Sequence, residues 1–246
     1  MHIELLQWLI LAAAAVIVGV SKTGLPGLGI LAVTLVALVL PARQSTGTIL
    51  PMLIAGDICA VGYYHLHASW RHILRLAPWA VAGVLLGTVA LGRLGDAQIR
   101  PLIGGIVLTL VAGNVWLSQQ PQLRDRISQF YVLAAAIGIL AGFTTMVSNA
   151  AGPIMVIYFL AMGLPKNGFL GTSAWYFFLL NFFKVPFSVA LGLITLPSLT
   201  LNAMLLPLIL IGAWLGVRFA KRLPEKAFAL VAELLAAAAA VKLLIW

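Results

Sequence analysis

The sequence predicts an all-α integral membrane protein of about 8–10 transmembrane or re-entrant helices. Three observations predict it. The 246 residues are 63% hydrophobic and only 9% charged, against about 25% charged in a soluble domain. Long runs rich in alanine, leucine and glycine stand where a membrane barrel would show an alternating ten-residue pattern. Two of these runs, residues 4–40 and 129–163, are each broken near the middle by glycine, proline and hydroxyl residues.

Ten apolar segments can be drawn: 4–20, 25–40, 47–64, 76–92, 99–117, 129–145, 150–163, 169–193, 199–217 and 226–246. They use nearly the whole chain and leave no soluble domain. The start, Met-His-Ile-Glu, lacks a basic leader region, and the first run leads into Ser-Lys-Thr-Gly rather than a cleavage site, so it reads as structure. The first two segments cannot be one straight crossing. A helix of that length would reach about 55 Å, against a hydrocarbon core of about 30 Å. The stretch Gly19-Val-Ser-Lys-Thr-Gly-Leu-Pro-Gly-Leu-Gly29 must turn the chain back, and Gly142-Phe-Thr-Thr-Met-Val-Ser-Asn-Ala-Ala-Gly-Pro153 does the same in the second tract. The arms are short for full spans, so the expectation is a re-entrant or partly spanning hairpin with its tip inside the membrane. The alternative is a fully spanning hairpin with Lys22 as a cytoplasmic-loop charge. Pro26 and Pro153 suit first helical turns, which starts the second segment near Leu25.

A net charge of +9 reflects topology here rather than nucleic-acid binding. With both tracts as hairpins, Arg71, Arg75, Arg124, Arg126, Lys166, Arg218, Lys221, Arg222 and Lys226 share one face, and Arg43, Arg93 and Arg100 the other. That split obeys the positive-inside rule and places both termini outside the cytoplasm. The one cysteine, Cys59, allows no disulfide within the chain.

The halves repeat. Leu40-Pro-Ala-Arg-Gln-Ser-Thr-Gly-Thr48 matches Leu164-Pro-Lys-Asn-Gly-Phe-Leu-Gly-Thr172, and Gly83-x-x-x-Gly87 with Arg93-Leu-Gly-Asp96 matches Gly212-x-x-x-Gly216 with Arg222-Leu-Pro-Glu225. Five segments per half make the repeats, 1–118 and 127–246, inverted in the membrane. The hairpin tips then approach the midplane from opposite sides, as in many transporters. The loop Gln119–Arg126 joins the halves into one membrane domain.

At these motifs the chain resembles the sulfite exporter TauE/SafE family, also called TSUP. Its hallmark is a duplicated block of apolar helix, glycine-rich break, apolar helix, Leu-Pro and a small Thr/Ser-containing helix start. The resemblance covers essentially all of the chain. The commonest family break, Gly-x-Gly-Gly-Gly, is replaced here by Lys22-Thr-Gly-Leu-Pro-Gly-Leu-Gly29 and Ser148-Asn-Ala-Ala-Gly-Pro153. The resemblance implies transport of sulfite, organosulfonates or related small anions across the bacterial inner membrane.

The residues themselves give a compatible set. Lys22 at membrane depth costs about 2.5–3.5 kcal/mol unless it lines a wet cavity or meets an anion. Ser21 and Thr23 add hydroxyl donors, and Gly24, Gly27 and Gly29 allow close backbone approach. The second tip offers Thr144, Thr145, Ser148, Asn149 and Gly152 without a charge. Its alternative role is backbone satisfaction within a membrane break. Asp57 lies mid-segment, Asn181 at the equivalent position of the second repeat, and Lys184 one helical step later on the same face. Asp57 is a candidate for a coupling proton and Lys184 for substrate contact. The alternative is a structural Asp57–Lys184 salt bridge.

The leading expectation is a secondary transporter, an exporter of small anions such as sulfite, sulfonates or related organic acids, bound between the two tips. The rivals are a passive anion channel and a membrane-embedded metal enzyme using His65, His67 and His72. Those histidines read more simply as an interfacial basic loop anchored by Trp70. The chain lacks a Gly-x-x-x-x-Gly-Lys-Ser/Thr motif, so ATP drive is not expected. No cofactor, metal or nucleic-acid partner is expected. A homo-oligomer is compatible with the sequence.

Overall fold

The computed structural model describes residues 4–93 and 131–245. The expected segment 99–117, the joining loop Gln119–Arg126 and Arg100 lie outside the described residues. Those residues form nine α-helices and one short 3-10 turn, with no strand among them. The helices are α1 (Leu5–Thr23), α2 (Gly29–Val39), α3 (Ala42–Tyr64), α4 (Trp70–Arg93), α5 (Tyr131–Ser148), α6 (Gly152–Ala161), α7 (Lys166–Ala190), α8 (Leu196–Arg222) and α9 (Glu225–Ile245). The 3-10 turn His65–His67 joins α3 to α4.

Among the described residues, four spans are long and apolar enough to cross a bilayer: Leu5–Thr23, Gln44–His67, Trp70–Arg93 and Leu196–Arg222. The protein is therefore an all-α, multi-pass membrane protein. Leucine, tryptophan and phenylalanine side chains on the outer surface, such as Leu9, Leu38, Leu86, Phe182 and Trp214, are exposed, as suits lipid contact.

Local signals explain most boundaries. Glu4 and Gln7 form a reciprocal capping box at the start of α1, and Thr195 and Ser198 form another at α8, satisfying amides that the first turn leaves open. The Leu-Pro dipeptides of the two matching motifs, Leu40-Pro41 and Leu164-Pro165, supply N-cap prolines, Pro41 for α3 and Pro165 for α7. Pro153 sits in the first turn of α6 as expected. The first hairpin differs. Its outgoing helix begins at Gly29, not near Leu25, so Pro26 falls in the turn. Gly27, at φ +102°, takes a backbone conformation that a β-carbon disfavours and ends the turn where a straight helix would have continued.

The two outgoing arms are short. α2 has 11 residues and α6 has 10, about 15 Å each, half of the hydrocarbon thickness of about 30 Å.

Packing does not follow chain order. One core joins α1, α2, α3 and α8 through Leu11, Ala15, Val18, Val36, Met52 and Leu205. A second joins α4, α5, α6, α7 and α9 through Leu76, Val84, Ala141, Ile154, Phe159, Phe169 and Phe228. Thus α4 packs on α5 and α8 packs on α1. Glycines make both crossings close. A β-carbon at Gly19 would strike the backbone of Ile209 and Ala213, and one at Gly212 the carbonyl of Val16. In the other core, β-carbons at Gly83 and Gly142 would strike the carbonyls of Ile139 and Ala80. Small residues let helix backbones touch, which drives association where lipid offers no hydrophobic gain.

Candidate functional site

Between the two cores lies an open cleft with about 50 Å³ of space for water-sized groups. Both hairpin tips line it. The first contributes Ser21, Lys22, Pro26, Gly27, Gly29 and Ile30, and the second Thr145, Asn149, Ala150, Gly152, Pro153, Met155 and Val156. Leu53 from α3 and Ser173, Phe177 and Asn181 from α7 complete the wall. The first turns of both half-length helices border the cleft at Gly29–Ile30 and Gly152–Pro153, and neither N-cap side chain bonds back to its helix. Helix N-termini carry partial positive charge and backbone donors.

Lys22 is not in a loop. It occupies the last turn of α1, and its side chain is 13% exposed. Its Nζ lies 2.8 Å from Asp57 Oδ1 and 4.4 Å from the centre of the Phe177 ring. Gly56 makes room for this, since a β-carbon there would come within 2.9 Å of the Lys22 stem. Asp57 is fully buried, near the middle of the span Gln44–His67.

The expected Asp57–Lys184 salt bridge is replaced by a longer chain of contacts. Asn181 stands between the two: its Nδ2 donates to Asp57 Oδ2 at 2.7 Å, and its Oδ1 accepts from Lys184 Nζ at 3.0 Å. Lys184 also donates to the Thr145 carbonyl at 2.9 Å, the Thr145 hydroxyl at 3.0 Å and Asn149 Oδ1 at 2.7 Å. Asn149 Nδ2 in turn donates to the Thr46 carbonyl at 3.1 Å. Asn149 holds φ +55°, a conformation that asparagine tolerates better than most residues. Lys184 therefore ties the second tip to α7 and does not line the cleft.

Of the other expected residues, several turn away from the cleft. Thr23 donates to the carbonyl of Ala213 at 2.7 Å, and Tyr64 donates to the Thr23 carbonyl at 2.9 Å. Gly24 packs on Gly216. Thr144 donates to the Leu140 carbonyl and Ser148 to the Thr144 carbonyl. These hydroxyls satisfy carbonyls one turn back, the usual habit of Ser and Thr in helices.

Sequence reasoning missed Ser173 and Phe177. A signal was present: Ser173, Phe177, Asn181 and Lys184 recur at intervals of four, four and three, one face of a helix. The histidines do not assemble a ligand set. His65 Nδ1 lies 3.2 Å from the Gly62 carbonyl and His72 Nδ1 lies 3.3 Å from the Tyr158 hydroxyl. Among the described residues no three of His, Cys, Asp or Glu come together.

No curated protein and no solved structure matches the chain. The model of one family, described as Sulfite exporter TauE/SafE, matches residues 11–243. With broken hairpins and Leu-Pro helix starts already in place, that match over nearly the full length means that the chain belongs to the sulfite exporter TauE/SafE family.

Proposed function

We propose that the protein is a secondary transporter, working as an exporter, of small anions such as sulfite, sulfonates or related organic acids. The observation that carries this reading is the convergence of Lys22 and the N-termini of α2 and α6 on one cleft. Half-length helices that aim their N-termini at a shared midpoint are a recurrent way to hold an anion inside a membrane. Ser21, Thr145, Asn149 and Asn181 add donors around the same space. An inside-negative potential assists the exit of an anion that crosses without a coupled proton by about 2.3 kcal/mol per charge per 100 mV.

The two sequence halves, 1–118 and 127–246, are proposed as inverted repeats, with both termini outside the cytoplasm of a bacterial cell. The pairing of α1 with α8 and of α5 with α4 supports a two-fold relation in which the halves exchange their fourth helices. The rocking bodies of alternating access are then the two packed cores rather than the two stretches of sequence.

Counterflow in proteoliposomes tests the function. Labelled sulfite or methanesulfonate should enter faster when the unlabelled anion is preloaded inside. Flux indifferent to trans substrate would make the protein a channel. Lys22→Ala should lower the flux about 10–100-fold, the loss of one charged hydrogen bond of about 1.5–3 kcal/mol. Parent-like flux in a folded Lys22→Ala protein would remove Lys22 from the site.

A further inference from the structure

We propose that the Asp57 carboxylate is a resident counter-anion at Lys22, that the transported anion displaces it, and that the displaced carboxylate takes up one proton. This rests on the anion-binding reading of the cleft and names its coupled ion.

The geometry sets up a competition. Lys22 lines the cleft, while Asp57 behind it is fully buried. Oδ1 of Asp57 already lies in the coordination shell of Nζ at 2.8 Å, and the Phe177 ring covers another side of the ammonium at 4.4 Å. An anion entering from the cleft meets a lysine whose charge is already matched. Two anionic groups at one buried ammonium repel strongly, because little solvent screens them. Turning Lys22 toward the anion leaves Asp57 with one donor, the amide of Asn181.

The other neighbours do not take over the ion pair. From α7, Lys184 is one amide away and is held by four oxygens on Thr145, Asn149 and Asn181. From α2 there is no ionisable side chain. The cations of α8 are Arg218, Lys221 and Arg222, in its last two turns. Arg218 lies over Trp214 and Lys221 over Tyr63. A buried carboxylate without a paired cation is costly, and a proton from cleft water removes that cost.

The step balances. Lys22 ammonium paired to Asp57 carboxylate, plus a monoanion and a proton, gives Lys22 ammonium paired to the anion, plus Asp57 carboxylic acid. The combined charge of Lys22, Asp57 and ligand is unchanged, so the loaded centre moves through the membrane without the penalty of an added charge. A doubly charged oxyanion would carry one negative charge uncompensated.

Methanesulfonate is the probe, because its charge stays fixed across the working pH range. The purified full-length protein in weakly buffered detergent should take up about one proton per methanesulfonate bound, read as alkalinisation of the medium. Its affinity should weaken by up to about tenfold per pH unit on the alkaline side. Asp57→Asn, which keeps an acceptor for Asn181, should bind with a flat pH profile and no proton uptake. Binding by the parent without proton uptake overturns the proposal while leaving the anion site intact, provided Lys22→Ala abolishes that binding. Equal binding by parent and folded Lys22→Ala, or no binding of methanesulfonate or sulfite at any pH, overturns the site reading and this proposal together.

Discussion

Asn181 Nδ2 donates to Asp57 Oδ2 at 2.7 Å, joining α7 to α3 at the two positions that alignment of the sequence halves equates. The contact also fixes the amide's orientation, because the opposite end of Asn181 accepts from Lys184. Asn181 thus joins the two cores at the level of the cleft, together with Asn149, which donates to the Thr46 carbonyl, and Phe177, which lies under the Lys22 ammonium.

Asn181→Ala should destabilise the protein by about 2–4 kcal/mol, the loss of two hydrogen bonds to charged groups in a buried setting. Thermal melting in a fixed detergent measures it. A melting temperature within about 1 °C of the parent would contradict the role of Asn181 as the bridge.

Lys184→Met keeps the length and removes the donor to four oxygens. Asn149 then loses the contact that anchors its left-handed backbone. Hydrogen exchange of the amides at 148–152 should speed up about tenfold or more, while α1 keeps its protection. Unchanged exchange at the second tip would mean that Lys184 does not hold it.

The glycine crossings should be intolerant in matched pairs. Gly142→Val and Gly212→Val each push a side chain into a facing backbone and should cost about 1–3 kcal/mol or prevent folding. Gly62→Ala and Gly92→Ala meet no atom within 4 Å and should be neutral or stabilising by up to about 1 kcal/mol. Comparable yields and melting temperatures for all four variants would contradict close packing at these helices.

Gly27→Val tests the first turn. The backbone sits at φ +102° and a β-carbon would meet Leu235 at 2.9 Å. The change should cost about 1–3 kcal/mol through backbone strain and reduce anion flux, read in the same proteoliposome assay. Parent-like melting and flux would show that the turn adapts.

Much of this was legible from composition and length. A 37-residue apolar tract with Ser-Lys-Thr-Gly in its middle cannot be one crossing, and the structure turns it back at that place. The repeated Leu-Pro dipeptides do start α3 and α7. The site was legible less fully. Lys184 and Asn181 share a helix face, which pointed to a pair with Asp57, but one helical step is enough for Asn181 to stand between them. The sequence marks Lys22 as a charge at membrane depth but not its pairing with Asp57, because that partner lies on another helix and periodicity carries no information across helices. The hydroxyls of Thr23, Thr144 and Ser148 were read as donors to a ligand. Backbone carbonyls take them instead, one turn back for Thr144 and Ser148 and across the helix contact on Ala213 for Thr23.

The packing of α8 on α1 has a consequence for biogenesis. Thr23 donates to the carbonyl of Ala213, 190 residues further along the chain. At about 5–20 residues per second, that partner leaves the ribosome about 10–40 s after Thr23 does. Throughout that interval the face of α1 around Gly19 and Thr23 must reside in the bilayer against lipid or the insertion machinery, whereas Lys22 meets Asp57 on the earlier-made α3. The earliest helix to be made is thus among the last to reach its final neighbour.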